Sequence, residues 1–310
     1  MNKLRYRMRS SYDTMGSMDF AQIQLFRDIV QSRSISRGAA MNGVTQSAAS
    51  QTLQELERQL GDQLLDRSHR PLEVLPAGRL FYDFAREVLR RQQEFAALLE
   101  ELKGTDGGTV RIAAIYSVGL SEMAKLEKEF YRRLPAAQLE VNYLRPEKVY
   151  EAVAEERVDI GLISYPEPTR EITVLPWREE TMVLACSPAH PFSARASVSP
   201  TELEGAEFIG FDEDLPISRD VERFLREHGV RVHIASRFDN IPSMKEALRH
   251  GLGVSILPEP MLSEDVAEGR LRTIPLREHL VRPLGIIQRR RRTLPRAAQI
   301  FLSLLRDPAA

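Results

Sequence analysis

Cysteine is almost absent from the sequence, because Cys186 is the one cysteine among 310 residues. A single thiol cannot form an internal disulfide or a thiolate metal cluster, so a disulfide-stapled fold is excluded and a reducing cytoplasm is expected. Apolar runs of the roughly 18 residues that a membrane helix needs are also missing, so no membrane partner is expected. Residues 1–17 carry basic side chains without a following apolar segment, which argues against a signal peptide.

An excess of positive charge is missing as well. The chain has 43 lysines and arginines against 44 acidic residues, and its formal net charge is −1. Any contact with nucleic acid must therefore rest on local clustering of charge. With 43% hydrophobic and 28% charged residues, the composition is typical of a globular protein. The length allows two or three domains of about 100–200 residues each.

The sequence patterns of common enzymes do not occur either. HExxH, GxSxG and GxxxxGK[ST] are all missing, and we expect neither a metal nor a cofactor. Gly251 and Gly253 begin a Gly-x-Gly pattern, but Ile256 stands where a dinucleotide fingerprint needs its third glycine, so a turn into a strand is favoured. We expect no enzymatic activity. An α/β enzyme and a transport-type solute-binding protein are the competing classes.

Three short helical patterns lie in residues 18–75, at about 20–31, 34–42 and 45–60. Ser34 and Thr45 are expected N-caps, Gly43 supplies a turn, and Gly61 ends the third helix. Two helices joined by a short turn with glycine predict a helix-turn-helix, in which Ala39 and Ala40 would lie at the crossing. Residues 66–74 read as a hairpin that could form a wing.

The third helix presents short or amide side chains suited to base edges and phosphates. These predicted DNA contacts are Thr45, Gln46, Ser47, Ser50, Gln51 and Gln54. Further predicted contacts are the basic side chains Arg37, Arg67, His69 and Arg70. The alternative is that this face is merely solvated. Six arginines stand against seven carboxylates between residues 18 and 76, and this balance argues against DNA binding, because most affinity for DNA comes from neutralising phosphates.

A heptad-like apolar stripe follows from Pro76 and is interrupted once, at Arg91. It consists of Phe81, Phe84, Val88, Phe95, Leu98 and Leu102. A helix over 76–104 would be about 40 Å long. It is predicted to pair with a second copy of the chain as a dimerisation helix, and the alternative is packing on the chain's own C-terminal region.

Several of these residues resemble the LysR-type transcriptional regulators. The run Val44 to Ser50 with Leu53, Leu56-Glu57 and Leu60-Gly61 is similar to that family's recognition helix. Leu64 to Arg67 and Pro76 to Gly78 are similar to its wing and to the start of its linker helix. The resemblance covers the chain from Met18, which could be the native start. The family commonly has arginine at the positions of Gln51 and Gln54, so phosphate contacts there are in doubt.

Residues 109–306 alternate short β-rich runs with helices, which predicts α/β units on a mostly parallel sheet. The resemblance implies a two-lobed sensor domain like a periplasmic binding protein, with lobe I at 109–180 and 281–306 and lobe II at 181–280. The expected order is thus a disordered tail at 1–17, a winged helix-turn-helix at 18–75, a linker helix at 76–104, and this sensor.

Ligands of open α/β sheets bind where strands end and helices begin, and free N–H groups there favour an anion. The candidate effector-binding residues at such junctions are Tyr116, Ser117, Ser164, Ile217, Ser218, Asn240 and Ser243. Ser218 and Ser243 could instead serve only as helix caps. We therefore expect a small, anionic effector between the lobes, with no other cofactor.

The expected partners are double-stranded promoter DNA, a second copy of the chain in a homodimer or homotetramer, and RNA polymerase. Arg289 to Arg292 could form a second DNA patch, although a solvated loop is favoured.

Overall fold

The computed structural model describes residues 18–68, 71–102 and 107–306. These form two compact units, one up to Leu99 and one from Glu100 onward. The predicted tail at 1–17, the hairpin residues His69 and Arg70, and the predicted helix end at 104 lie outside the described residues. Among the described residues, no helix has both the length and the apolar character needed to cross a bilayer.

The N-terminal unit is a winged helix-turn-helix followed by a long helix. Its elements are α1 (Phe20–Ser32), α2 (Ile35–Met41), α3 (Gln46–Leu60), the strands β1 (Leu65–Asp66) and β2 (Glu73–Val74), and α4 (Pro76–Leu102). The strands pair antiparallel, with Leu65 opposite Val74. Ser34 and Thr45 cap α2 and α3 by accepting backbone N–H bonds, as predicted, and Gly61 ends α3 in the left-handed conformation with φ 73°.

α1 and α2 cross closely at Gly38. A Cβ added at Gly38 would lie 2.5 Å from Ile29 Cγ1, so only glycine fits there without displacing α1. Ala39 is buried in the core of this unit, whereas Ala40 is exposed and does not lie at the predicted crossing of α2 and α3. The placement of Ala40 was wrong because a helix turns by about 100° per residue, which carries it off the buried face.

The C-terminal unit contains one mixed sheet that runs through two lobes. Its first half consists of β3 (Gly108–Ile115), α5 (Tyr116–Arg133), β4 (Ala137–Leu144), α6 (Pro146–Ala154), β5 (Ile160–Ser164) and β6 (Ile172–Cys186). The second half consists of β7 (Glu207–Phe211), α7 (Pro216–Glu227), β8 (His233–Phe238), α8 (Ile241–Arg249), β9 (Val254–Pro258), α9 (Ser263–Ala267), β10 (Arg272–Pro275), β11 (Val281–Arg289) and α10 (Arg296–Leu305). The strand order is β4-β3-β5-β11-β6-β9-β7-β8, with β10 beside β6.

Two long strands connect the lobes. The first part of β6 pairs with β11 in lobe I, and its last residues pair with β9 and β10 in lobe II. The predicted lobe II strand at 181–187 is therefore the second half of one 15-residue strand. β11 returns to lobe I and also pairs with β5, after which α10 packs against α5 and β3. Each lobe has a separate hydrophobic core.

Gly253 leads directly into β9. A Cβ at this position would lie 2.3 Å from the Glu207 carbonyl oxygen, and the backbone φ is 146°. The glycines at 251 and 253 thus form the predicted turn into a strand.

Candidate DNA interface and ligand cavity

One face of α3 is exposed, and the opposite face packs into the hydrophobic core of the unit. Ala49, Leu53 and Leu56 are buried against α1 and α4 residues of the same unit. On the outer face the polar side chains Thr45, Gln46, Ser47, Gln51 and Gln54 are exposed, and Ser50 is partly exposed. Gln46 Nε2 donates to Ser50 Oγ at 3.3 Å, an exposed hydrogen bond that a base edge could replace.

The wing is fastened to α3 by an ion pair. Arg67 Nη2 lies 2.5 Å from Glu57 Oε2, and the other oxygen of Glu57 accepts the backbone N–H groups of Leu64 and Leu65. Arg67 therefore has a structural partner that a DNA phosphate would have to displace. Its predicted neighbours in the wing, His69 and Arg70, lie outside the described residues.

Other arginines of the helix-turn-helix separate into paired and unpaired groups. Arg27 pairs with the buried Asp28, and Arg58 pairs with Glu55 on the surface of α3. Arg33 and Arg37 are exposed and have no carboxylate partner within residues 18–68, 71–102 and 107–306. Exposed guanidinium groups without a carboxylate partner in these ranges thus lie at Arg33 in the α1–α2 turn, at Arg37 in the first turn of α2 and at Arg79 in the first turn of α4.

Part of the apolar stripe on α4 belongs to the core of its own chain. Phe81 packs edge-on against Phe26 with ring centroids 5.0 Å apart, so its expected place in a dimer seam was wrong. Val88 also contacts this core, whereas Phe84, Phe95 and Leu98 are exposed, and Leu80 is 76% exposed. The side chain of Leu102 lies outside the described set. The solvent-facing stripe therefore begins at Leu80.

A cavity of about 360 Å³ lies between the two lobes of the C-terminal unit. Five of the seven predicted effector residues line it: Tyr116, Ser117, Ser164, Ile217 and Asn240. Ser218 and Ser243 do not, which corrects their assignment. Ser218 is buried behind the wall, where its hydroxyl donates to the Phe211 carbonyl at 3.1 Å, and Ser243 donates its backbone N–H to Asn240 Oδ1 at 2.9 Å.

A buried ion pair forms one wall of the cavity. Arg282 Nε donates to Glu180 Oε2 at 2.9 Å, Nη2 also contacts that oxygen, and Nη1 donates to Ser117 Oγ at 2.9 Å. Both charged side chains are only 2% exposed. Because Arg282 and Glu180 face each other on β11 and β6, the pair joins the two strands that connect the lobes.

Four helices begin at the cavity. α5, α6, α7 and α8 each follow a strand end, and residues from the first turn of each helix line the space. The first three have no side-chain cap at their N-terminus. Only α8 is capped, by Asn240. The aligned peptide dipoles make such helix ends favourable surroundings for an anion, although Pro146 and Pro216, the first residues of α6 and α7, carry no N–H.

The arginine run near the C-terminus is used inside the fold. Arg289 contacts Glu171, and its Nη1 donates to the Ala154 carbonyl at 2.6 Å. Arg290 donates to the Thr169 carbonyl at 3.1 Å, and Arg292 pairs with Asp159 at 2.5 Å. These contacts fasten β11 to its neighbours, which accounts for these three arginines without a second DNA patch.

The chain matches two family models that together span most of its length. Residues 20–79 match the bacterial regulatory helix-turn-helix protein of the lysR family, and residues 103–310 match the LysR substrate binding domain. The chain belongs to the LysR family of transcriptional regulators. This family consists of regulators and not of enzymes.

The LysR-type regulator is similar to the uncharacterized HTH-type transcriptional regulator YeiE of Escherichia coli K12. The two are 32% identical over 290 residues, which cover 93% of this chain and 97% of YeiE. Among solved structures, a full-length OxyR variant from Pseudomonas aeruginosa has a TM-score of 0.74 at 21% identity, covering 93% and 95% of the two chains. Over most of this chain, the likeness to OxyR shows a shared fold.

Two further structures share the fold at lower similarity. The regulatory domain of Synechocystis CcmR in complex with 2-PG has a TM-score of 0.59 at 20% identity, and covers 64% of this chain and 95% of CcmR. Vibrio fischeri DarR in complex with DNA has a TM-score of 0.55 at 19% identity, and covers 94% and 99%.

Sequence reasoning missed the two arginines of the LysR-type regulator that line its cavity, Arg145 and Arg282. Arg145 follows β4 at a strand-to-helix junction of the same kind as those that were considered, so its position was a usable signal. Arg282 stands in an otherwise apolar strand, and a lone charge there signals a buried partner. The identity of that partner, Glu180, depends on strand register, which sequence spacing does not reveal.

Proposed function

We propose that this regulator binds promoter DNA through α3 and that a small anion in the interlobe cavity controls this binding or the activation that follows. In this proposal residues 18–75 bind DNA, 76–104 form the linker helix and 109–306 sense the effector. The chain acts as a homodimer or a homotetramer, RNA polymerase is the partner that activation requires, and the chain has no enzymatic activity of its own.

The convergence of four helix N-termini on one cavity carries the effector proposal. Three of these ends lack a side-chain cap, and Arg145 and Arg282 line the same space. An anion there would lie near the positive ends of several helix dipoles in surroundings drier than bulk water, which strengthens each interaction. The CcmR regulatory domain, which has this fold, is in complex with 2-PG, and this supports an anionic ligand.

Isothermal titration calorimetry on the full-length protein with a panel of anionic metabolites tests this cavity. For any anion that binds wild type, Ser117→Ala should weaken binding roughly tenfold, the usual effect of losing one hydrogen bond to a charged group. Ser243→Ala is the matched control, since Ser243 does not line the cavity. Equal affinities of wild type and Ser117→Ala would contradict the proposal.

The exposed amide side chains of α3 support sequence reading in the major groove. A glutamine can make a bidentate pair with adenine, which contributes about 1–3 kcal/mol of discrimination. The DarR complex supports the use of this fold on DNA. We assign base contacts to Gln46, Ser47, Ser50, Gln51 and Gln54.

Selection of bound DNA from a random pool would supply a site for testing α3. Fluorescence anisotropy on that site and on its single-base variants should then show that Gln46→Ala discriminates between bases less well than wild type at one position of the site. Gln24→Ala, an exposed glutamine on α1, provides the matched control. An unchanged base preference in Gln46→Ala would exclude Gln46 from base reading.

The exposed stripe on α4 supports pairing with a second chain. Leu80, Phe84, Phe95 and Leu98 recur at helical spacing on one side of the helix, and Phe95 is 62% exposed. Phe95→Glu should lower the oligomeric state measured by light scattering after size exclusion. Arg132→Glu on α5, a charge change outside the stripe, should leave the oligomer intact.

A further inference from the structure

The two lobes are joined across the rim of the cavity by an exposed charge cluster. Arg145, at the end of β4 in lobe I, faces two lobe II carboxylates that precede α7 and α8. Its Nη2 lies 2.7 Å from Asp214 Oδ2, and its Nη1 lies 3.9 Å from Asp239 Oδ2. We name Arg145, Asp214 and Asp239 the rim cluster.

Arg145 uses few of the five N–H donors that a guanidinium offers. Nη2 donates to Asp214, but Nε is shielded from solvent and has no hydrogen-bond acceptor among the described residues. The nearest carboxylate oxygen, on Glu147, lies 3.4 Å from Nε and does not complete a hydrogen bond. A shielded donor without an acceptor at a cavity wall can be satisfied by a water molecule or by a ligand atom.

Arg282, the other arginine that lines the cavity, already has hydrogen-bond partners. It holds Glu180 and Ser117 with all three of its nitrogen atoms, and both members of the ion pair are enclosed. A ligand would have to break a buried pair to bind Arg282 directly. At the rim it would compete only with exposed carboxylates, whose pairing contributes little.

We propose that the effector is a carboxylate with an apolar body and that it binds Arg145 in exchange for Asp214 and Asp239. The carboxylate accepts a two-pronged hydrogen bond from Arg145, including the shielded Nε. The apolar body contacts Ile115, Leu144, Phe211 and Ile241, which also line the cavity. Binding therefore releases the charge contacts that Arg145 makes across the rim of the cavity. The inference rests on the proposed function of the cavity.

Thermal unfolding of the full-length protein with straight-chain carboxylates from acetate to octanoate tests this exchange, at constant ionic strength. A member of intermediate length should raise the melting temperature of wild type, and acetate should not. Asp214→Asn and Asp239→Asn remove competitors for Arg145, so each should bind that carboxylate about threefold to fivefold more tightly. Arg145→Gln should abolish the effect, and Arg132→Gln, which lies on α5 away from the cavity, should not.

The outcomes separate the exchange from the cavity proposal. If Arg145→Gln binds as wild type does while Ser117→Ala binds weakly, the cavity proposal survives and the exchange at Arg145 is wrong. If both variants bind as wild type does, the cavity itself is not the site. Weaker binding by Asp214→Asn would overturn the competition, and no stabilisation by any member in wild type or Asp214→Asn would overturn the ligand class.

Discussion

Arg33 and Arg37 in the N-terminal unit and Arg282 in the C-terminal unit have opposite surroundings. The N-terminal unit leaves Arg33 and Arg37 exposed, without a carboxylate partner among the described residues. The C-terminal unit encloses Arg282, Glu180 and Asp265 in its interior, where each has an oppositely charged partner. Exposed charges remain available to an external polyanion and are screened by salt, whereas enclosed charges contribute to holding strands and helices together.

This difference indicates where mutation should affect stability and where it should affect binding. Removing an enclosed partner leaves a buried charge uncompensated, which is costly for the fold. Removing an exposed unpaired arginine changes the fold little and reduces the attraction for phosphate groups. The predictions below test that separation, from the largest expected effect to the smallest.

Glu180→Gln should lower the free energy of unfolding of the C-terminal unit by about 3–5 kcal/mol, because Arg282 would stay buried without its counter-charge. Urea unfolding monitored by the fluorescence of Trp177 measures this effect. Trp177 is the single tryptophan of the chain and packs against the lobe I core.

Glu151→Gln is the matched control in lobe I, where the Glu151 pair with Lys148 lies on the surface of α6. It should leave the Trp177 unfolding midpoint unchanged. Equal losses in the two variants would contradict the distinction between enclosed and exposed pairs.

Asp265 should make the stability of lobe II depend on acid pH. Burial by itself would raise the pKa of Asp265, but hydrogen bonds from Lys245, Arg249 and Arg270 outweigh burial and lower it from 3.8 to about 2. The stabilisation is therefore present above the unfolded-state pKa and disappears as the pH falls from about 4 to 2, a loss of about 2 kcal/mol.

Urea unfolding followed by circular dichroism at pH values from 5 to 2 should show this loss in wild type. Asp265→Asn should be less stable at pH 5 and should vary less with pH over the same range. A wild-type slope that persists in Asp265→Asn would assign the acid sensitivity to other carboxylates.

Arg37→Ala should weaken binding to all DNA sequences alike and reduce the slope of log affinity against log salt concentration by about 1. Anisotropy titrations at several salt concentrations measure this slope. Arg58→Ala provides the control, since Arg58 is already neutralised by Glu55. A change in base preference instead of salt dependence would assign Arg37 to base reading.

Local sequence patterns predicted the helix-turn-helix because every signal there acts over a few residues. Ser34, Thr45 and Gly61 cap or end helices through contacts within one turn, and the spacing of Ala49, Leu53 and Leu56 defines the buried face of α3. The polar face of α3 follows directly, since it is the opposite side of the same helix. Phe81 was misplaced because spacing alone does not tell which of two partners covers an apolar residue.

Sequence patterns predicted only part of the cavity lining, for a physical reason. The strand-end rule located Ser117, Ser164 and Asn240, because helix starts are local features of the sequence. The sequence by itself thus determined the helices, their caps, the α3 face and the alternation of strands and helices. Only the tertiary structure decided that Arg282 meets Glu180 and that Arg145 faces Asp214, since strand register and lobe closure bring together residues that are far apart in the chain.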